Sequence, residues 1–335
     1  MKPTHISKLF GAVALSTLVF SIAQAEDANY VLNTASTGGT YHPVGTAIAT
    51  LSKVKLLPKE KFSLTAVNSA GSGANVQALA ANTAQFAILQ GLYGSYAATG
   101  TGPVSEPQTN IRSISMLWQN VEQFVLANDL VRGGTVSDLM NAKGSAMAMG
   151  KENSGTLGSN TVLLEGLGVD FENDFTFVYA GYGPSADALA NGQAVGAGFP
   201  AGPPTSAITK LMSTNGDKFT ILSVTEEEAA KMDGGLKLWT PYTIAAGTYP
   251  GIDKDVNTIA QPNFLAVNAD VDENHVYLLT KTLYENLPFL QAIHSATNAM
   301  NIDAATVGLP VPLHPGALRY YQEIGLEIPD SLIAE

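Results

Sequence analysis

From residue 30 onward the chain repeats one rhythm: a short apolar run, a loop of glycine with hydroxyl or amide side chains, then apolar residues at helical spacing. Tyr30 to Thr34 reads as a buried strand, followed by the small-residue loop Ala35 to Tyr41 and a helix from Pro43 onward, with proline suited to a first turn. Phe62 to Val67 predicts a second strand, Asn68 to Gly73 a second polar loop, and Ala74 to Thr83 a helix. Gln85 to Leu89 predicts a third strand. The pattern returns with strand 145–149, loop 150–156 and helix 157–168, then strand 175–179, the turn Gly181 to Ser185 and a helix to Gly192. Ala194 to Phe199 is a further strand that ends in a Pro/Gly-rich loop. Strands alternating with helices in this way predict an α/β fold with largely parallel sheets.

Two apolar runs, 122–126 and 263–267, bracket the second series and read as strands crossing between two bodies. The expected architecture is a two-lobed clamp. Each lobe is a mixed, mostly parallel sheet flanked by helices, and two hinge strands join them. Lobe one is then 26–123 plus 263–335, and lobe two is 124–262. Ligands of such sheets sit at the carboxyl ends of strands, which places a site in the cleft between lobes.

The N-terminus adds a destination. Lys2, His5 and Lys8 precede an apolar stretch from Leu9 to Ile22, which closes on Ala23-Gln24-Ala25 and then Glu26-Asp27. This is the pattern of a cleaved secretory signal peptide over residues 1–25, cut after Ala25, and it predicts a periplasmic protein. With no cysteine in the chain, neither a lipid-anchored cysteine nor a disulfide is available, so stability rests on the core. A mature chain of about 310 of the 335 residues exceeds one core and agrees with two lobes. Without Lys2 and Lys8, 15 Lys and Arg face 29 Asp and Glu, a formal charge of about −14. Such a surface repels nucleic acid and anionic membranes, so neither is expected as a partner.

Three of the strand-to-helix loops carry candidate chemistry. They offer Ser36, Thr37, Gly38, Gly39, Thr40 and Tyr41; Asn68, Ser69, Ala70, Gly71, Ser72 and Asn75; and Ser154, Gly155 and Thr156. Glycine admits close backbone approach, and a helix start offers unpaired N–H groups at the positive end of its dipole. Together they suit one or two carboxylates without an arginine; each alone is also an ordinary helix cap with a tight turn. Gln90, Tyr93, Phe199, Ala201 and Gly202, at strand ends facing the same cleft, complete the candidate binding set. Glu122, at the first crossing, is a candidate for a ligand ammonium or else half of a structural pair. Arg112 is either a carboxylate clamp or a salt-bridge partner, and Trp118 and Tyr249 are aromatic candidates that equally suit a core. The run Glu226-Glu227-Glu228 reads as a solvated face at a helix start.

Other chemistries lack their residues. Gly71-Ser72-Gly73 has no GxGxxG spacing, Ser154-Gly155-Thr156 lacks the glycine frame and lysine of a P-loop, and no G-x-S-x-G occurs. His42, His275, His294 and His314 are scattered singly, so no metal site, cofactor or catalytic residue is expected.

Residues Asn33 to Gly45 resemble the opening G-T-G-G-T-Y-Y-P-x-G motif of TAXI proteins, the binding subunits of one class of TRAP transporters. So do Gly150 to Thr156, Ala246 to Gly251 and the tail Leu309 to Ala317, in the right order along nearly the whole mature chain. One departure is Gln90-Gly91-Leu92-Tyr93, where many relatives read Q-S-D; the swap removes a hydroxyl and a carboxylate near the cleft and leaves a ligand amine without its contact. The resemblance implies a type II periplasmic-binding fold, no enzymatic activity, and a monomer that delivers its solute to a membrane-embedded TRAP transporter subunit. It also implies a small acid as ligand, glutamate or a related dicarboxylate such as 2-oxoglutarate. Two alternatives share the fold: the binding protein of an ABC transporter, and the ligand-sensing subunit of a sensor kinase. A secreted α/β hydrolase would need a nucleophile with a base, which the motifs do not supply.

Overall fold

A computed structural model describes residues 27–334, and the signal-peptide reading over 1–25 lies outside them. The strands are β1 (Ala28–Asn33), β2 (Phe62–Val67), β3 (Phe86–Gln90), β4 (Ile111–Val121), β5 (Phe124–Ala127), β6 (Ala146–Ala148), β7 (Thr176–Phe177), β8 (Gly196–Gly198), β9 (Phe219–Ile221), β10 (Thr240–Ile244) and β11 (Val256–Asn268). They form two mixed sheets. In the first, β1 pairs in parallel with β2 and β3, while β11 runs antiparallel to β3, β4 and β10. In the second, β6 pairs in parallel with β7 and β8, and β5 runs antiparallel to β8 and β9.

Each sheet is buried on both faces, and the period-two alternation of side chains divides its residues between them. Along β3, Phe86 and Ile88 join Leu32, Ile48 and Leu279 on one side, whereas Ala87 and Leu89 join Val76, Leu79 and Phe264 on the other. Along β5, Val125 faces Ile208, Leu211 and Phe199, and Phe124 and Leu126 face Leu139, Leu163 and Leu164. The result is a two-lobed α/β architecture with mixed sheets flanked by helices.

The chain passes from the first sheet to the second where β4 runs through Glu122 and Gln123 into β5. Val121 is bridged to Ala201, and the Glu122 N–H donates to the Ile259 carbonyl at 2.9 Å. The return passes through β10 and the first half of β11, where the Val224 N–H donates to the Asn257 carbonyl at 2.8 Å. The run 263–267, read from sequence as the second crossing, instead lies inside the first sheet between β3 and β4. β11 is 13 residues long, and its apolar run does not reveal which of its ends leaves the sheet.

The acidic run at 226–228 is solvated only in part. Glu226 and Glu227 are exposed, but Glu228 is buried at the start of the helix Glu226–Met232, where it closes a capping box with Thr225. Its carboxylate also accepts from the Thr135 and Ser137 hydroxyls and the Ser137 N–H, tying this helix to the turn Val136–Ala142. Burial alone would raise its pKa, but these hydrogen bonds outweigh burial and hold it down at about 2.

Candidate functional site

Four helices begin at one cavity between the two sheets: Tyr41–Lys55 after β1, Ser72–Ala80 after β2, Gly155–Gly166 after β6 and Tyr182–Ala190 after β7. Each follows the carboxyl end of a parallel strand, so two helix starts come from each sheet. The first-turn N–H groups of an α-helix have no intrahelical acceptor, and the four dipoles add their positive ends at this point.

The first loop contributes Ser36, Gly39, Thr40 and Tyr41 to the lining, the second Ala70, Gly71 and Ser72, and the third Ser154, Gly155 and Thr156. Gln90 and Ala201 also reach the cavity. Beside these sequence-predicted residues stand Ala35, Asn120, Lys151, Ala180, Gly181, Tyr182 and Pro200. Gly181 and Tyr182 belong to a fourth strand–glycine–helix junction that repeats the signal of the other three. Asn120 is one of several polar residues in β4, beside Arg112, Ser113, Ser115 and Gln119, and no spacing rule singles it out. Lys151 is the one charged side chain of the lining; no Asp or Glu reaches it. The empty space is about 480 Å³ including the open mouth.

Several candidates serve the walls instead. Thr37 and Asn68 are exposed outside the lining. The Gly38 carbonyl accepts from the Ala207 N–H at 3.2 Å. Ser69 donates to the Thr34 carbonyl, and Asn75 donates to the Thr34 and Ile88 carbonyls, so both fix the loops rather than face a solute. The Tyr93 hydroxyl donates to the Ser154 carbonyl, and burial pushes its pKa up to about 12. Phe199 is fully buried in the second core, and the Gly202 carbonyl accepts from Thr40 Oγ1 at 2.8 Å. Trp118 is buried against Tyr41, with ring centroids 5.8 Å apart. Tyr249 is buried, with its hydroxyl on Gln123. Arg112 takes neither expected role: its guanidinium donates to the Thr109 and Ile111 carbonyls.

Glu122 stands outside the lining. Its Oε1 accepts from Trp239 Nε1 at 2.8 Å and Gln261 Nε2 at 3.3 Å, while Oε2 is buried without a partner. Burial lifts its pKa to about 7 despite those two hydrogen bonds. A polar chain runs from it to the cavity, since Gln261 Nε2 and Gln90 Nε2 both donate to Ser159 Oγ, and Gln90 lines the site.

Contacts across the cavity clasp the two halves. Ser36 Oγ accepts from the Tyr182 N–H at 3.1 Å, the Ala74 N–H donates to the Asn153 carbonyl at 2.9 Å, and Gln90 Nε2 donates to the Gly155 carbonyl at 3.0 Å. The Tyr182 hydroxyl donates to the Pro200 carbonyl, which leaves Thr156 Oγ1 as donor in its 2.9 Å contact with Tyr182. Burial raises the Tyr41 and Tyr182 hydroxyls far above their ordinary range, so both remain neutral donors. Among the described residues, no cluster of three or more His, Cys, Asp or Glu side chains is placed to hold a metal ion, and no helix is long and apolar enough to cross a membrane.

Solved structures share this architecture. A Bordetella bronchiseptica RB50 protein matches at TM-score 0.53 and 14% identity, over 92% of this chain and 85% of that one. The periplasmic binding protein BugD matches at 0.53 and 16%, over 90% and 98%. PhnD1 from Prochlorococcus marinus (MIT 9301), solved in complex with methylphosphonate, matches at 0.51 and 12%, over 82% and 91%. At these identities the likeness is one of fold. The model of the NMT1-like family matches residues 32–325, most of the sequence, and the chain belongs to the NMT1-like family.

Proposed function

We propose that the protein is an extracytoplasmic solute-binding protein that captures a small anionic solute in this cavity and delivers it to a membrane transporter. One observation carries the reading: four helix starts, two from each sheet, meet at a cavity that has a lysine and no carboxylate in its lining. The periplasm is its place, reached by cleavage after Ala25, and it acts as a monomer. The two halves, joined at the crossings near 121–124 and 257–259, close on the solute. The sequence motifs support the TAXI form of the reading, with a TRAP-type partner and a dicarboxylate such as glutamate or 2-oxoglutarate as solute. A hydrolase is not supported, because no His or carboxylate lines the cavity to serve its hydroxyls as a base.

A second reading has its own support. The methylphosphonate held by PhnD1 is an oxyanion that the same N–H and hydroxyl donors would suit, so an ABC-type importer of phosphonates shares the chemistry. Thermal shift of the mature protein against glutarate, 2-oxoglutarate, glutamate, methylphosphonate and spermidine separates the two. A ligand at 100 times its Kd stabilises the folded state by about 2.7 kcal/mol, a rise of several degrees. A rise with the carboxylates supports the first reading and a rise with methylphosphonate alone the second. A rise with spermidine alone, or with none of them, rejects both.

A further inference from the structure

The donor groups of the cavity are obvious; its acceptor is not. Gln90 Nε2 donates to the Gly155 carbonyl at 3.0 Å, and a carbonyl accepts only. That contact fixes the Gln90 amide, so its Oε1 is the atom that faces Asn120. Oε1 in turn accepts from Asn120 Nδ2 at 3.3 Å, which fixes the second amide as well. Asn120 is 1% exposed and lines the cavity, and its Oδ1 is left buried with no partner. An unpaired buried acceptor is costly, and a ligand that brings an O–H or N–H group relieves that cost.

The surroundings choose between the two donors. An ammonium would enter among the positive ends of four helices and beside Lys151, with no carboxylate in the lining to offset it. Glu122 does not fill that role, since it stands behind Gln261 and Ser159, engaged with Trp239. A hydroxyl brings the needed hydrogen without the charge. From this geometry we infer that the solute is a hydroxy acid, its carboxylate held by the helix starts and its hydroxyl donating to Asn120 Oδ1. The inference rests on the anion-binding reading above and puts a 2-hydroxy acid in place of glutamate or 2-oxoglutarate as the solute.

The test is calorimetric titration of the mature protein with two matched series that differ only at C2. One is 2-hydroxyglutarate, glutarate, 2-oxoglutarate and glutamate; the other is lactate, propionate, pyruvate and alanine. In the series that binds, the hydroxy acid is expected to bind about tenfold more tightly than its unsubstituted and keto analogues, the scale of one buried hydrogen bond, and more tightly than the amino acid. Equal affinity of hydroxy and unsubstituted acids, or tightest binding of the keto or amino acid, overturns the hydroxyl assignment while leaving an anion site in place. Absence of binding by every member overturns the anion site as well. Asn120→Leu, which removes the acceptor, is expected to bring the ratio of hydroxy to unsubstituted affinity close to one. A ratio kept at tenfold in that variant would show that another group receives the hydroxyl. The wild-type ratios decide the ligand class even where the variant does not fold.

Discussion

Glu122 and Glu228 are both buried carboxyls, and their partners set them apart. Glu228 has hydrogen bonds enough to remain ionised down to about 2, below its ordinary range near 4.5. Its contribution to stability is therefore present above pH 4.5 and is lost as pH falls toward 2. Glu228→Gln is expected to lower the unfolding free energy at pH 7 by about 1–2 kcal/mol, a weakened cap with weakened hydrogen bonds to charge. Urea unfolding across pH should show the gap closing below pH 4; a gap constant from pH 7 to pH 2 would mean that the charge is irrelevant. Glu122, lifted to about 7 by burial, carries the opposite sign. The folded state holds its proton longer than the unfolded one, so stability is lost as pH rises from about 4.5 through 7. Glu122→Gln keeps the acceptor for Trp239 and removes the charge. Its melting temperature should match wild type near pH 4.5 and exceed it at pH 8, a gain on the order of 1–3 kcal/mol. Equal melting temperatures at pH 8 would mean that the ionised carboxylate is well solvated.

At the scale of elements, the glycine loops do more than admit a ligand. A Cβ on Gly73 would lie 2.6 Å from the Asn153 carbonyl oxygen, and one on Gly38 would lie 2.8 Å from the Gly183 nitrogen, each across the cavity. These glycines let two helix starts from opposite sheets approach, which is how four of them surround one small space. Gly73→Ala should weaken ligand affinity at least tenfold while the ligand-free melting temperature holds or rises, because alanine suits a helix better and the clash exists only between closed halves. A matching loss of melting temperature would make the contact permanent rather than part of closure. The strand–glycine–helix rhythm made three of these loops legible in the sequence, and the fourth, at Gly181-Tyr182, carried the same signal unread as a site. Asn120 was not legible, because its role depends on an amide chain through Gln90 that only the folded chain brings together. The helix Gly91–Thr99 was also hidden. It opens on glycine, has a second glycine at Gly94 and is buried on several sides, so it shows no amphipathic stripe. The helix Glu273–Glu285 does carry a signal, an Asp272 cap before Val276, Leu279 and Leu283 at helical spacing. The inward turn of Glu228 is not legible either, since a run of three acids does not tell which one is buried.

For the whole molecule, the clasp from Ser36 to Tyr182 and from Ala74 to Asn153 means that a solute must enter through a more open form. Small-angle scattering should show the radius of gyration fall on ligand addition, as the halves move about the crossings near 121–124 and 257–259. An unchanged radius at saturation would argue against a moving clamp. The charge of about −14 over residues 26–335 opposes an approaching anion, so capture relies on short-range donors, while distant charges are screened beyond about 8–10 Å in salt. Added salt should therefore speed anion association, with Trp118, packed on Tyr41, as reporter. The sign of the ligand's charge is the central claim, and equilibrium calorimetry with two five-carbon chains of opposite charge, glutarate and 1,5-diaminopentane, tests it most directly. The account predicts that glutarate binds and that the diamine produces no heat of binding at any salt concentration. Binding of the diamine, weakening as salt rises, with none of glutarate, would contradict it.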